Sequence, residues 1–185
     1  ARLWRLPVCY EEAFAPDLKD VVIKANLSPD EVIALHTSRI LEVAIMGFLP
    51  GLGYLTGVDD ALHLPRRSVP RTFVPQGSVG LAMDQTVIYP LNSPGGWNLI
   101  GRMPIPLFDQ KRENPILFSA GDQVSFYAVN ADKYEELAAS CVDGNLPICP
   151  EKANEAALKP HFDRIEAKMT KQEASNSKLT DRQTD

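Results

Sequence analysis

The chain has 185 residues, of which 44% are hydrophobic and 23% are charged, and its net charge at pH 7 is −5. This composition supplies a core of ordinary size, and the acidic balance argues against nonspecific binding to nucleic acid or to a membrane surface of anionic lipid. The longest apolar run, residues 40–46, is too short to span a membrane, and no segment resembles a signal peptide. The cysteines (Cys9, Cys141 and Cys149) are odd in number and form no Cys-x-x-Cys pair, so we expect a cytoplasmic protein without a structural metal.

The first forty residues predict one strand followed by two helices. Polar and apolar residues alternate over Arg2–Tyr10, which is the pattern of a strand. Apolar residues at helical spacing predict a helix over Asp17–Ala25. The segment 28–31 (Ser-Pro-Asp-Glu) then supplies an N-cap, a first-turn proline and a capping-box glutamate for a second helix. His36 lies near the end of this helix, where a packing or capping role is favoured over a catalytic one.

Residues 40–129 carry the pattern of a β-rich domain. The apolar run Ile40–Met46 predicts a strand that is covered on both faces. Glycines and prolines then divide the chain into short β-prone runs with irregular connections, which favours a closed or nearly closed barrel over alternating β/α units. The further predicted strands are Ser78–Met83, Thr86–Tyr89, Trp97–Ile100, Ile116–Phe118 and Gln123–Val129.

Beyond Val129 the sequence becomes polar. A short helix is predicted over Asp132–Ala139, and a polar helix broken by a proline over Glu151–Lys171. Residues 172–185 have almost nothing to bury, so we expect them to be disordered. The chain therefore divides into a barrel domain over residues 1–130 and a polar C-terminal extension over 131–185.

The stretch Tyr89–Arg102 is the most elaborate loop of the chain. It places two prolines, which fix the backbone, beside the flexible pair Gly95 and Gly96 and the large ring of Trp97. One interpretation is the wall of a binding groove. The other, a structural turn with a core tryptophan, is equally favoured by these residues alone.

The segment 64–71 places three arginines between prolines. A stiff, extended backbone lowers the entropic cost of presenting guanidinium groups to a carboxylate or a phosphate. The alternative is a charged edge that pairs with Asp59 or Asp60.

Motifs for self-contained catalysis are missing from the sequence. Gly51 and Gly53 follow a strand as in a dinucleotide loop, but the third glycine comes one residue too late and no convincing helix follows. There is neither a phosphate-binding Gly-Lys-Ser/Thr loop nor a Gly-x-Ser-x-Gly elbow, and no histidine spacing suits a metal or a triad. His63 and His161 are expected to be solvated. The loops instead predict a groove for a small ligand or a partner strand.

A series of short motifs runs in order through residues 5–130. They are Pro7–Tyr10, Pro16–Leu18, Leu35–Ser38, Gly47–Gly51, Tyr54–Leu55, Pro65–Arg67, Pro70–Arg71, Val74–Pro75, Gly77–Gly80, Gln85–Thr86, Tyr89–Pro90 and Ser93–Gly101. Together they resemble the allophanate hydrolase subunit 1 family, also called the KipI or 5-oxoprolinase B-subunit family. The resemblance implies a mainly β fold: a cyclophilin-like β-barrel with two N-terminal helices and a polar, partly helical or disordered C-terminal tail. We expect the separate N-terminal α/β subdomain of the family to be absent.

The resemblance also implies a role in an enzyme complex. One group of the family forms an ATP-dependent 5-oxoprolinase with two other subunits, opening 5-oxo-L-proline to L-glutamate. Fused relatives form part of the carboxyltransferase unit of urea carboxylase, a biotin enzyme. We therefore expect a non-autonomous subunit that shares its active site with a sister subunit of the allophanate hydrolase subunit 2 type, in a complex with a third subunit. ATP belongs to that complex, and biotin only to a urea-carboxylase-like one.

A third group of the family inhibits a sporulation histidine kinase by binding its dimerisation helices. The alternative function is therefore a protein-binding module that inhibits a sensor histidine kinase, with Phe48 and Trp97 as apolar anchors.

The enzyme interpretation assigns roles to thirteen residues. Those expected to orient carboxylate or carbonyl oxygens are Arg66, Arg71 and Gln85. Those expected to bind substrate are His36, Phe48, Pro50, Gly51, Tyr54, Tyr89, Pro94, Gly95, Gly96 and Trp97. The sequence departs from the family pattern at two places: Leu52 replaces an aromatic residue, and Glu11 and Glu12 replace glycines.

Overall fold

The computed structural model describes residues 1–153 and Thr170. Within residues 1–153 the chain forms ten strands and three α-helices. The strands are β1 (Arg2–Cys9), β2 (Leu41–Met46), β3 (Gly53–Thr56), β4 (Arg71–Val74), β5 (Ser78–Ala82), β6 (Gln85–Ile88), β7 (Ser93–Gly95), β8 (Asn98–Arg102), β9 (Gln123–Val129) and β10 (Glu151–Lys152). The helices are α1 (Leu18–Ala25), α2 (Pro29–Thr37) and α3 (Ala131–Ser140).

Seven of these strands close into a barrel in the order β1-β8-β5-β6-β3-β2-β9. The barrel closes where β9 returns to pair with β1 in parallel, from Leu3 opposite Gln123 to Cys9 opposite Val129. The other pairings in this barrel are antiparallel. Strands β4 and β7 form a separate two-stranded sheet, and β10 pairs with β1. The predicted mainly β barrel with two N-terminal helices is confirmed.

Two buried apolar clusters lie on opposite faces of the barrel wall. The larger includes Leu55 of β3 and Ile88 of β6, together with Val21 of α1 and Val32 of α2. Because side chains alternate along a strand, the neighbours of these strand residues point the other way. They join the second cluster, which comprises Leu52, Val74, Ala82, Val87, Tyr89, Trp97 and Leu99. This outer cluster supports the pocket described below.

Local capping fixes the helices where the sequence predicts them. The Ser28 hydroxyl accepts from the backbone N–H of Glu31 at 3.1 Å, and the Glu31 carboxylate accepts from the Ser28 N–H at 3.3 Å. This reciprocal pair is the predicted capping box. Helix α3 begins at an Asn130 cap, and its first N–H, on Ala131, donates to the Glu11 carboxylate. The glutamate that departs from the family pattern therefore anchors α3 beside the end of β1.

The structure corrects two predicted strands. Ile45 in β2 is 61% exposed, so the prediction that both faces of this strand are covered is wrong. The reason is that β2 has antiparallel neighbours, and antiparallel sheets can leave one face open to solvent. The predicted strand Ile116–Phe118 is only an isolated bridge between Phe108 and Ile116.

The C-terminal part is described only as far as residue 153, apart from Thr170. Glu151 and Lys152 pair with β1 instead of starting a helix. The rest of the predicted polar helix and the predicted disordered tail lie outside the described residues, and a domain boundary after residue 130 stays a prediction. Among the described helices, none combines the length and apolarity needed to cross a membrane.

Candidate functional site

A cavity of about 500 Å³ lies over the outer face of β3 and β6. Three loops wall it: residues 47–52 between β2 and β3, residues 65–71 before and into β4, and residues 93–97 in and after β7. The lining residues are Phe48, Leu49, Leu52, Tyr54, Arg66, Arg67, Pro70, Val87, Tyr89, Ser93, Pro94, Gly95, Gly96 and Trp97. The sequence-predicted wall of prolines, glycines and aromatic rings is thus brought together in one place.

Aromatic rings form the inner surface of the cavity. The rings of Tyr54 and Trp97 lie 6.0 Å apart between centroids, at an angle of 57°. Trp97 is only 7% exposed because its outer-face position lets it pack on the second buried cluster. Burial also raises the pKa of Tyr89, so this phenol stays protonated and neutral at physiological pH.

Two glycines make room for these rings. A Cβ at Gly80 would lie 2.9 Å from the Cβ of Trp97, and one at Gly95 would collide with the hydroxyl and ring of Tyr89. Such separations are shorter than van der Waals contact, so larger residues here would force the rings to move. The glycine at 95 is therefore required by the close approach of Tyr89.

Phe48, at the edge of the cavity, has an exposed ring and a left-handed backbone conformation. Its side chain is 94% exposed, and its backbone has φ of 59°, in the left-handed region that a bulky residue rarely adopts. An exposed large ring held in a strained conformation at a pocket is a feature of surfaces that contact another molecule.

Positive charge borders the cavity without a matching acid among its lining residues. The Arg66 guanidinium lies 6.0 Å from the centre of the Trp97 ring, in cation–π geometry. Within the described part of the chain, Arg66 makes no hydrogen bond or ion pair. Arg67 also lines the cavity, and none of the described Asp and Glu residues does. The pocket is therefore suited to a small anion that carries an apolar body.

Asp17 neutralises part of this charge from beneath. It is 1% exposed, and its carboxylate accepts from Arg67 Nη1, from Arg71 Nη2 at 2.6 Å and from the backbone N–H of Leu99 at 2.7 Å. The hydrogen bond to Asp17 raises the pKa of the Arg71 guanidinium.

These contacts correct the sequence interpretation of the arginines. Arg71 does not line the cavity, because both of its terminal nitrogens are engaged by Asp17. The alternative partners were also wrong: Asp59 pairs with Arg39 at 2.6 Å, and Asp60 lies 3.7 Å from His63.

His36 lies on the inner side of the barrel wall and away from the pocket. Its Nδ1 is 2.6 Å from the Tyr10 hydroxyl, its Nε2 is 3.1 Å from the Thr86 hydroxyl, and its ring stacks on Phe126. Thr86 and Val87 are neighbours on β6 and so face opposite sides. Burial lowers the pKa of His36 to about 3, which keeps the ring neutral. These contacts match the packing role that the sequence favoured, not the substrate-binding role.

Three further predicted residues also lie outside the cavity lining. Gln85 shares the outer face of β6 with Val87 and Tyr89 but sits at the far end of that strand. Pro50 is exposed, and Gly51 backs onto the carbonyl oxygen of Leu107, 3.0 Å from where its Cβ would be. Gly51 serves the turn, with φ of 88°, rather than the pocket.

The sequence pattern missed several residues of the site. Leu49, Leu52, Pro70, Val87 and Ser93 line the cavity, and no motif distinguishes them from core or turn residues. Asp17 was missed because an aspartate just before a helix is typical of an N-cap. It occupies that position, but its side chain makes no capping hydrogen bond. Within residues 1–153, no group of His, Cys, Asp and Glu is arranged to hold a metal ion.

The fold is therefore that of a closed β-barrel domain with a loop-walled pocket on its outer face. The chain belongs to the family described as carboxyltransferase domain, subdomain C and D, whose model matches residues 1–118. The family membership predicted from the motifs is confirmed.

Relatives with curated names support this assignment. The chain is 44% identical to the B subunit of 5-oxoprolinase from Bacillus subtilis over 133 residues, which is 72% of this chain and 55% of that protein. It is 46% identical to the same subunit from Escherichia coli O157:H7 over 126 residues, 68% of this chain and 58% of that protein. It is also 34% identical to the urea amidolyase of Lachancea kluyveri over 83% of this chain and 10% of that protein. The chain thus spans a little over half the length of the two 5-oxoprolinase subunits.

Solved structures share the fold. A conserved uncharacterized protein of Pyrococcus horikoshii superposes with a TM-score of 0.69 at 39% identity, over 71% of this chain and 61% of that chain. The Kluyveromyces lactis urea carboxylase superposes with a TM-score of 0.73 at 22% identity, over 94% of this chain and 18% of that chain. The second likeness concerns the fold alone.

Proposed function

We propose that this chain is a non-autonomous subunit of a 5-oxoprolinase-type hydrolase, which opens 5-oxo-L-proline to L-glutamate in an ATP-dependent complex. The observation that carries the proposal is the charge of the pocket: Arg66 and Arg67 border an aromatic cavity whose lining contains no acid. The names of the relatives that are 44% and 46% identical support the same reaction class. A carboxyltransferase reaction of the urea-carboxylase type is the related possibility.

The substrate has two parts that match the pocket. Its carboxylate fits a charge-assisted hydrogen bond from Arg66, which has no competing partner among the described residues. Its five-membered amide ring can pack against apolar walls such as Tyr54 and Trp97, which line the cavity. The cavity volume of about 500 Å³ falls in the range usual for small-molecule sites, about 300–1,000 Å³.

The pocket lacks the groups that hydrolyse an amide. Among residues 1–153, the lining contains no Asp, Glu, His, Cys or Lys, so this part of the chain brings no such general base or activated nucleophile to the pocket. We infer that a sister subunit of the allophanate hydrolase subunit 2 type supplies these groups across an interface, within a complex that also contains the third subunit. The exposed ring of Phe48 at the mouth of the pocket is the natural contact for that partner.

The lining residues do not fit a nucleoside triphosphate. Those that the structure describes offer two guanidinium groups but no lysine, no carboxylate for Mg²⁺ and no helix N-terminus. We therefore assign ATP to the other subunits of the complex and derive no step through ATP or biotin in this chain. A cytoplasmic location remains a prediction.

The proposal is tested by co-expressing the chain with homologous sister subunits and measuring ATP-dependent release of glutamate from 5-oxo-L-proline. Arg66→Gln removes a charge-assisted hydrogen bond, so we expect KM to rise roughly 10- to 100-fold. Arg5→Gln is the matched control, because Arg5 pairs with Glu151 on the surface away from the pocket. An assembled complex without turnover, or equal KM values for the two variants, would contradict the proposal. Biotin-dependent carboxylation of urea by the same complex would instead favour the carboxyltransferase reaction.

The second candidate function is the kinase-binding module, and Phe48 is the observation that favours it. Trp97, the other predicted anchor, is 7% exposed and lines the cavity, so Phe48 is the more accessible of the two. In this function Phe48→Ala should weaken binding to a histidine-kinase dimerisation domain by about 2 kcal/mol, and Arg66→Gln should leave it unchanged. No binding of the wild-type chain to that domain would remove this candidate.

A further inference from the structure

Asp17 is the most heavily used carboxylate near the pocket. It follows β1 by eight residues and precedes α1, yet its hydrogen-bond partners Arg67, Arg71 and Leu99 lie 50, 54 and 82 residues further along the chain. Its own backbone N–H also donates to the carbonyl of Leu99 at 2.9 Å. The backbone of Asp17 is therefore attached to β8, and its carboxylate accepts hydrogen bonds from two guanidinium groups.

Attachments lie on both sides of Arg66, and Asp17 provides two of those on its C-terminal side, at Arg67 and Arg71. We call residues 65–71 the arginine segment. The carbonyl of its first residue, Pro65, accepts from Asn98 Nδ2 at 2.9 Å, and the N–H of Arg67 donates to the Gly96 carbonyl at 2.8 Å. Its last residue, Arg71, is held by Asp17. Arg66 itself has no such anchor, so its position over Trp97 depends on the attachment of the segment on both sides.

The charges also explain why the carboxylate matters to the pocket. One buried Asp17 faces two guanidinium groups, those of Arg67 and Arg71. Without it, the two guanidinium groups of Arg67 and Arg71, which share one carboxylate, would repel each other. With it, the two paired arginines are fixed and Arg66 remains as the unpaired cation of the segment.

We propose that Asp17 is a positioning residue of the pocket: it fixes the arginine segment and thereby holds Arg66 over Trp97, where Arg66 receives the substrate carboxylate. The last clause rests on the proposed function, whereas the fixing of the segment does not. The experiments below separate the two.

The first experiment is limited trypsin digestion of the full chain, since Arg66, Arg67 and Arg71 are themselves trypsin sites. Asp17→Asn keeps the shape of the side chain but removes its charge, so local opening of the arginine segment should become easier. We expect cleavage within residues 66–72 to accelerate roughly 10- to 100-fold. Arg71→Gln removes the Arg71–Asp17 ion pair and leaves the Arg67–Asp17 pair in place, so it should also accelerate cleavage after Arg66 or Arg67.

Asp122→Asn is the matched control. Asp122 is 3% exposed and also accepts from a guanidinium, that of Arg2 at 2.7 Å, but it lies outside the pocket lining. This variant should be destabilised globally without faster cleavage of the arginine segment at matched unfolding rates. Equal acceleration in Asp17→Asn and Asp122→Asn, or none in Asp17→Asn and Arg71→Gln, would overturn the fixing role.

The second experiment measures KM for 5-oxo-L-proline in the assembled complex. If Asp17 acts through Arg66, then Asp17→Asn should raise KM in the wild-type background but have no further effect in an Arg66→Gln background. A purely structural role would give additive effects in the double variant and would overturn the link to Arg66. If the wild-type complex shows no turnover, the proposed function fails, and the trypsin result alone decides whether Asp17 fixes the segment.

Discussion

The buried imidazole of His36 makes a specific prediction about acid stability. The residue is 3% exposed, and its ring lies between the hydroxyls of Tyr10 and Thr86. The ring is therefore neutral in the folded protein. Burial lowers its pKa from 6.5 to about 3. The unfolded chain therefore takes up a proton at His36 between pH 6.5 and pH 3, and the folded chain does not.

The sign of the effect follows from this difference. The unfolded state binds more protons in that window. The contribution of His36 to the free energy of unfolding is therefore fully present above pH 6.5 and is lost as the pH is lowered. At pH 5 the expected loss from His36 alone is about 2 kcal/mol. Most carboxylates titrate below pH 5, so they contribute little to the change between pH 7 and pH 5.

The assay is urea unfolding of the wild type and of His36→Gln at pH 7 and pH 5. The wild type should lose about 2 kcal/mol over this range, whereas the variant should change much less. His63→Gln is the control, since His63 is partly exposed, and it should keep the wild-type pH dependence. If His36→Gln does not fold, an NMR titration of the wild-type ring decides: the ring should stay neutral down to pH 5. Titration of His36 near pH 6.5, or pH-independent stability of the wild type, would refute the reasoning.

Two substitutions test the packing and the buried charge. Gly95→Ala should lower the free energy of unfolding by about 1–3 kcal/mol, because the new methyl group would collide with Tyr89. Gly47→Ala is the control: its new methyl group meets nothing within 4 Å, so stability should be nearly unchanged. Equal effects of the two substitutions would contradict the prediction. Arg112 is 8% exposed, and in the described part of the chain its guanidinium nitrogens have no hydrogen-bond partner. Arg112→Met should therefore be neutral or stabilise the fold by about 1 kcal/mol, and a loss above about 2 kcal/mol in urea unfolding would show that the charge is paired.

Local signals in the sequence were enough to predict the barrel and its helices. The Ser28–Glu31 capping box and the alternation in β1 and β9 depend on neighbours a few residues away, and the structure has all three. The turn residues of 93–97 were compatible both with a pocket wall and with a structural turn around a core tryptophan. In the structure Trp97 lines the cavity and also packs in a buried cluster. Local signals did not predict the short strands β3, β4 and β7. Glycine or proline interrupts the strand pattern in β3 and β7, and β4 has only four residues between two prolines.

Long-range pairing decided the part of the site that the sequence could not resolve. Arg66, Arg67 and Arg71 look equivalent in the sequence, but Asp17 engages the last two and leaves the first. The choice depends on a carboxylate about fifty residues earlier, which no spacing rule connects to them. In the same way, His36 belongs to a family motif, and only the barrel shows that its motif serves the interior rather than the pocket.

Hydrogen–deuterium exchange tests the central claim most directly, namely that the loop-walled pocket is completed by a second polypeptide. The measurement compares the free chain with its complex with the sister subunit. We expect slower exchange in residues 47–54, 65–71 and 93–97, which wall the pocket, and no change in α3, which is anchored outside the pocket beside the end of β1. Protection confined to α3 or to α1 and α2, with the three pocket loops exchanging as in the free chain, would contradict the account.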